Sequence, residues 1–308
     1  MITQLDHGIT CVDADYVQPG IACFYLMEEG GEYAVIETGT SLSVPRLLDY
    51  LAGEGVEPEQ VRYVIPTHVH LDHAGGVGAM MDAFPGATLL IHPRGARHMV
   101  DPERLVASAR AVYGEQAFAA LYGEITAVDT SRIREIEDGE RVSLGARELE
   151  FRHTRGHANH HLCVWDKRSQ GWFSGDMFGV SYAWFRFDSG DFVLPSTTPT
   201  QFDPEAYFAS LELLGSYEPR WMYLTHFGVL PYTDAASELL RQQVARFCEL
   251  ATSLGDDPGA LQQGLEDYAL ECLASFSPDT DESTLRRWAS FDVPLNTQGL
   301  LHWRSSAA

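Results

Sequence analysis

Lysine is almost absent: Lys167 is the only one in 308 residues. Lys and Arg together number 21 against 44 Asp and Glu, a formal net charge of −23. A surface of that sign repels phosphate backbones and anionic lipid, so no nucleic-acid partner and no membrane partner is expected. The excess acid is read as a solubility feature. Cysteine is scarce as well. Cys11, Cys23, Cys163, Cys248 and Cys272 are scattered, odd in number and never spaced Cys-x-x-Cys, which excludes a disulfide framework and predicts reduced thiols in a cytoplasm. No apolar run approaches membrane-spanning length, and Met1 to Gly8 lacks the basic-then-apolar order of a signal peptide. A cytoplasmic protein is therefore expected.

Hydrophobic residues make up 45% of the chain, ample for a large core. The richest stretch is Thr67-His68-Val69-His70-Leu71-Asp72-His73-Ala74-Gly75-Gly76. It places three imidazoles and one carboxylate within six residues, directly after an apolar run, Val61 to Ile65, that reads as a buried strand. Metals need convergent lone pairs on a rigid support, and a strand end opening into a loop provides one. His68 and His70 point the same way in extended backbone. Asp72 and His73 follow where the chain turns and can aim at a second point nearby.

Ile9 to Val12, Ile21 to Met27 and Tyr33 to Glu37 form an opening meander of strands. Glu37 ends the third, before Gly39. It reads either as an outer group supporting a metal ligand or as a solvated turn residue. Ser43 to Gly53 has helical periodicity, with Ser41 or Ser43 as N-cap. A second helix is expected from about Gly76 to Ala83, then a strand ending in His92, a histidine read as structural. Pro102 to Tyr122 is helical in pattern and interrupts the strands, so a helical insertion is placed at about 94–123.

Strands resume over Ile133–Glu137, Arg141–Leu144, Leu149–His153, His161–Trp165 and Trp172–Ser174. His157 follows a Gly turn past one strand end, and Asp176 follows another. An anionic carboxylate can bridge two cations, which a neutral imidazole does not. His157 is taken as a ligand, His161 as strand interior, and His160 as an outer-shell or substrate-contacting residue. Val180 to Thr200 lacks helical period and is rich in aromatics. Tyr182, Trp184 and Phe185 are its candidate pocket residues, with a packed irregular segment as the alternative. Trp221 to Leu224 is a short strand ending in Thr225-His226. From 232 to 308 the pattern is helical. The expected organisation is an α/β domain over 1–231 and a helical appendage over 232–308.

The order His68/His70/Asp72/His73, His157, Asp176, His226 resembles the metallo-β-lactamase superfamily, in its hydrolytic His-x-His-x-Asp-His branch, over roughly residues 8–230. Within it, the stretch Thr67 to Gly76 with His157 to Cys163 and Gly175-Asp176 is most similar to the glyoxalase II and lactonase neighbourhood. The resemblance implies an αββα sandwich with a dinuclear site along the edge between two sheets. By position, His68, His70 and His157 would hold one metal and Asp72, His73 and His226 the other, with Asp176 bridging both. Two divalent ions are implied, zinc first, with iron or manganese as alternatives. The family usually carries Asp where this chain has Glu37. Glyoxalase II binds glutathione through basic C-terminal residues, for which this acidic chain shows no matching cluster. Lactonases of this type place a tyrosine three residues after the bridging aspartate, where this chain has Gly179.

The implied activity is hydrolysis of an ester, lactone or thioester of a small-molecule substrate by a metal-bridging hydroxide, with Asp72 as the catalytic group that orients it. The alternative is an iron-dependent oxidoreductase of the same fold, persulfide dioxygenase-like or di-iron. The di-iron branch typically has Glu where this chain has His70. The C-terminal helices are expected either to cover the pocket or to build a homodimer interface.

Overall fold

The computed structural model describes residues 1–307. Seven strands form the first sheet in chain order: β1 (Ile2–Gln4), β2 (Ile9–Asp13), β3 (Cys23–Glu29), β4 (Glu32–Ile36), β5 (Val61–Ile65), β6 (Thr88–Ile91) and β7 (Ile133–Glu135). β1 to β4 pair antiparallel, and β4 to β7 pair parallel. The second sheet holds β8 (Arg141–Leu144), β9 (Arg147–His153), β10 (Leu162–Asp166) and β11 (Gly171–Gly175). A small hairpin, β12 (Arg186–Phe187) and β13 (Gly190–Asp191), precedes its last two strands, β14 (Trp221–Leu224) and β15 (Gly228–Pro231). The order is β15-β14-β11-β10-β9-β8, antiparallel except for the β11–β14 pair.

Both sheets are covered on both faces, and the alternation of side chains along a strand sorts them into two layers. In β3, Cys23, Tyr25 and Met27 enter the cluster between the sheets, while Phe24 and Leu26 join the cluster beneath the helices. Leu162 and Val164 against Cys163 and Trp165 repeat the division in β10. The outer layer is built by α1 (Val44–Gly53), a one-turn α2 (Leu71–Ala74), α3 (Val77–Ala83), α4 (Pro93–Val100), α5 (Glu103–Tyr113), α6 (Glu115–Tyr122), α7 (Pro204–Gly215), α8 (Asp234–Leu254), α9 (Pro258–Phe276), α10 (Glu282–Ala289) and α11 (Val293–Ala307). The result is a mixed α/β sandwich, helix–sheet–sheet–helix, with further helices at its C-terminal end.

Several boundaries differ from the sequence reading. The stretch from Pro102 to Tyr122 is two helices, broken at Gly114, where φ is +78°. The strand expected over Ile133–Glu137 stops at Glu135. Ser43 occupies the N-cap of α1 but makes no capping hydrogen bond; Pro45 in the first turn and the buried Val44, Leu47 and Leu51 hold that helix.

The helices after residue 231 share one hydrophobic cluster with the sandwich: Leu240, Val244 and Phe247 lie in it with Trp172, Phe192 and Leu211. Capping side chains start these helices, with Thr233, Asp257 and Asp281 accepting from first-turn N–H groups. α11 comes so close to the 195–198 segment that a Cβ on Gly299 would sit 1.9 Å from the Thr197 carbonyl oxygen. Asn296 of the same helix accepts from the Thr197 N–H (2.7 Å) and donates to the Pro195 carbonyl (3.1 Å). The C-terminal end of the chain thus stitches the irregular segment after Asp176 to the sandwich. No described helix is long and apolar enough to cross a membrane.

Candidate metal centre

Five chain segments end along one edge of the sandwich and deliver the site. β4 delivers Glu37. β5 opens into the loop carrying His68 and His70 and into α2 with Asp72 and His73. The turns after β9, β11 and β14 deliver His157, Asp176 and His226. These side chains converge into three overlapping groups able to hold a metal ion: His68/His70/His157, His68/His73/Asp176 and Asp72/His73/His226.

The spacing of their donor atoms is that of metal ligands. His70 Nδ1 lies 2.8 Å from His68 Nε2 and 3.1 Å from His157 Nε2. His226 Nε2 lies 3.2 Å from His73 Nε2 and 3.4 Å from Asp72 Oδ2. Asp176 stands between the groups, with Oδ2 3.5 Å from His157 Nε2 and Oδ1 3.3 Å from His73 Nε2. Tetrahedral ligands held about 2.05 Å from a zinc ion lie about 3.3 Å from one another, so these separations suit two such centres sharing one carboxylate. Asp176 Oδ1 is buried and has no hydrogen-bond partner, as expected for an oxygen whose partner is a metal.

The opposite ring nitrogens fix the tautomers. His73 Nδ1–H donates to Glu37 Oε1 (3.2 Å), His157 Nδ1–H to the Ser196 carbonyl (3.1 Å) and His226 Nδ1–H to the Ile21 carbonyl (2.9 Å). The Thr67 hydroxyl donates to Glu37 (2.6 Å) and so accepts from His68 Nδ1–H (3.1 Å). In its neutral form each of these four rings therefore turns an Nε2 lone pair toward the site. Lone pairs facing one another at such distances repel unless a cation lies between them.

Glu37 is fully enclosed. It accepts from the Thr67 hydroxyl and N–H (3.3 Å), the Thr225 hydroxyl (2.8 Å) and His73. Of its two sequence readings, the solvated turn residue is overturned: the chain takes φ +70° there and the side chain lies beneath the histidine loop.

Electrostatics divide the cluster. Burial drives His68 and His157 below the usual imidazole range and His70 down to about 3, so these rings are neutral, as metal ligation requires. Burial also opposes charge on His73 and His226, but the carboxylates of Asp176 and Asp72 outweigh it, raising His73 and taking His226 up to about 9. Burial likewise works against charge on Asp72 and Asp176, yet the neighbouring histidines hold both well below the usual carboxylate range. The side with three carboxylates asks for positive charge.

The other predicted residues fall outside this ring of donors. His160 Nδ1 accepts from the Val69 N–H (3.3 Å) and holds the loop between His68 and His70. His161 precedes β10 instead of lying inside it. It donates to Thr154 (2.8 Å) and accepts the Asp176 N–H (3.3 Å), a positioning role that sequence reasoning missed. His92 accepts from the Arg94 N–H (3.0 Å) and caps α4. Tyr182 is buried with its ring centroid 6.2 Å from that of His226, and Trp184 is half-buried beside it. Phe185 is corrected: it is wholly enclosed against Phe192 and forms core beneath Tyr182, not a pocket wall. Tyr16 and Tyr122 were also missed. They pack with Leu71 of α2, and burial chiefly, then the Asp72 carboxylate, push both phenols up.

A family model described as the metallo-beta-lactamase superfamily matches residues 18–226. The chain belongs to that superfamily. Within it, the metallo-beta-lactamase fold-containing protein ST1585 of Sulfurisphaera tokodaii is 26% identical over 244 residues, 78% of this chain and 85% of the relative. The crystal structure of ST1585 superposes with a TM-score of 0.63 at 24% identity, over 78% of this chain and 86% of that one. The superfamily protein TTHA1429 from Thermus thermophilus superposes with a TM-score of 0.65 at 21% identity, covering 98% of this chain and 94% of that one. Its fold likeness therefore extends through the C-terminal helices. Human acyl-coenzyme A thioesterase MBLAC2 is 27% identical over 189 residues, 56% of this chain and 64% of the relative. Superfamily relatives include hydrolases, thioesterases and a lactonase among them, and the fold is shared with oxidoreductases.

Proposed function

We propose that this protein is a dinuclear metal-dependent hydrolase of a small ester, lactone or thioester. The observation that carries the reading is the pair of three-donor groups on either side of Asp176, one carboxylate oxygen within 3.5 Å of His157 and the other within 3.3 Å of His73. His68, His70 and His157 would hold one ion; Asp72, His73 and His226 the other; Asp176 both. Imidazole and carboxylate ligands of this number suit zinc, with manganese or iron also compatible. Bound there, two such ions supply an acidified water as nucleophile and Lewis-acid polarisation of a carbonyl.

The chain's residues do the remaining work. Asp72 is only partly buried, unlike the fully enclosed Glu37, and is the carboxylate of the cluster that faces the solvent side. It is placed to orient the attacking water, accept its proton and return it to the departing alkoxide or thiolate. The carbon–oxygen or carbon–sulfur bond breaks as the new carbon–oxygen bond is completed, so the products are an acid and an alcohol or thiol. Glu37, Thr67 and Thr225 keep His73 and His68 from rotating, and the Ser196 and Ile21 carbonyls do so for His157 and His226.

The test is elemental analysis of untagged protein together with turnover of an aryl ester, γ-lactones, acyl-homoserine lactones and S-lactoylglutathione. The expected result is about two zinc or manganese per chain and chelator-sensitive hydrolysis. Tightly held iron with oxygen consumption on a persulfide and no hydrolysis would overturn the reading.

A further inference from the structure

Among the buried polar atoms that lack a partner are one donor and one acceptor that share an aromatic cluster beside the metal centre. Trp184 Nε1–H meets no acceptor, and Asp292 Oδ2 meets no donor. The two residues belong to one cluster although they lie far apart in sequence. The Tyr182 hydroxyl donates to the other Asp292 oxygen (2.8 Å), and the Tyr182 ring stacks on Trp184 with centroids 4.9 Å apart. Phe291 meets both rings near right angles, at 5.3 Å and 6.0 Å, and is 43% exposed. The cluster adjoins the chemistry: Tyr182 is 6.2 Å from His226, and Phe227 donates to the Ser181 carbonyl (3.0 Å). The Asp292 carboxyl also lies within the field of the centre. Burial raises it, to about 6, against the Tyr182 hydrogen bond and His226, with Asp176 and Asp72 adding to the rise.

The bond to Asp292 removes Tyr182 from one role. Its proton is already committed, so it is not a free donor for a developing oxyanion. The phenol instead holds the carboxylate in place. Leaving either orphan unpaired is costly, and a buried polar atom kept without a partner in a native structure asks for an explanation, of which a bound ligand is one. An occupant must offer an acceptor to Trp184 and a donor to Asp292, and it must be flat enough to lie against aromatic faces. An ester or ketone lacks the donor, and an ammonium group lacks the acceptor. A secondary amide has both, on opposite edges of one plane.

Resting on the hydrolase reading, we propose that Trp184 and Asp292 form a subsite for a secondary amide carried by the substrate near its scissile ester or thioester. The amide carbonyl accepts from Trp184 Nε1–H, and the amide N–H donates to Asp292. Phe291, in the short turn between α10 and α11, is the outermost ring of the cluster. The C-terminal helices thereby add a specificity element to a centre whose metal donors all come from the sandwich.

The test is calorimetric binding to the metal-loaded protein at pH 8 of a thioether that cannot be hydrolysed, S-hexyl-N-acetylcysteamine, against its N-methyl derivative. Methylation replaces the donor by a methyl group and is expected to weaken binding about tenfold or more, as for a hydrogen bond to a charged acceptor, and the Asp292 variant separates that loss from the added bulk. Asp292→Ala should bring the two ligands within about twofold of each other. Trp184→Phe should weaken both, and Phe291→Ala, a fold control, should preserve the discrimination. Equal binding of the two ligands by the natural protein would overturn the subsite and assign the orphan atoms to water. Variants that weaken both ligands in the same proportion as a simple alkyl thioether would overturn it too. Amide discrimination without turnover of any ester, lactone or thioester would sink the hydrolase reading alone. Turnover without discrimination would sink the subsite alone.

Discussion

Glu37→Gln is the most informative single change, because it keeps the shape of the side chain and removes its charge. Glu37 accepts four hydrogen bonds, three of them at Oε1, from the Thr67 hydroxyl, the Thr225 hydroxyl and His73 Nδ1–H. The carboxamide oxygen must take the Oε1 place, so its NH2 group faces the Thr67 N–H, donor against donor. Bonds to a charged acceptor contribute about 1.5–3 kcal/mol and neutral ones about 0.5–1.5. Three weakened bonds lose about 3 kcal/mol and the buried clash about 1–3 more. Relief of the desolvated charge offsets part of this, leaving an expected net loss of about 2–4 kcal/mol in unfolding free energy. His73 loses its orienting carboxylate, and removing such a partner typically weakens metal binding about 10–100-fold. The group without His73, His68/His70/His157, should bind nearly as before. Chelator competition gives the two affinities, and urea unfolding of metal-free and loaded protein gives the stability. Two unchanged affinities with an unchanged urea midpoint would refute the assignment of Glu37 as the carboxylate that orients His73.

Stability of the metal-free protein should fall as pH rises. His226 is lifted to about 9, so its protonated form stabilises the fold fully below the unfolded value near 6.5 and ceases to as pH passes 9. The expected loss between those limits is roughly 2–3 kcal/mol, read from urea midpoints across pH, and a flat profile would count against it. Gly156→Ala should cost more than about 2 kcal/mol, since φ is +128° and the new Cβ would lie 2.3 Å from the Tyr207 Cα; a melting curve like that of the natural protein would contradict the crowding. Asn296→Ala should cost about 2–4 kcal/mol and weaken metal at the His157 group, because Asn296 pins Thr197 and Pro195 on either side of the carbonyl that orients His157. Lost stability with unchanged affinity at that group would break the link.

Much of the fold was readable because its signals are local. Short β-rich runs between turn residues marked most strands of both sheets, and the ligand-type residues stood at strand ends in an order that resembles one superfamily. What escaped had weak local signals. β1 is three exposed residues, and β15 is short with a terminal proline. α11 lies within the helical appendage expected over 232–308, but Pro294, Gly299 and its slight amphipathic character gave its own bounds no local signal. Phe185 and Trp184 are adjacent aromatics in one irregular segment, and only packing shows that one is core and the other flanks the site.

The sequence by itself determined which atoms could bind metal, because residue type fixes lone pairs and the spacing of His68, His70, Asp72 and His73 fixes their side of the loop. The tertiary structure alone decided how they meet. Asp176 comes within 3.3 Å of His73, a hundred positions away, and within 3.5 Å of His157 only because β5, β9, β11 and β14 end at one edge, and sheet pairing sets those separations. It likewise decided that Glu37 is buried beneath His73, that His161 holds Asp176, and that Asp292 reaches Tyr182 across the C-terminal helices. Those contacts arise from long-range packing, whose free energy no local stretch of the chain contains.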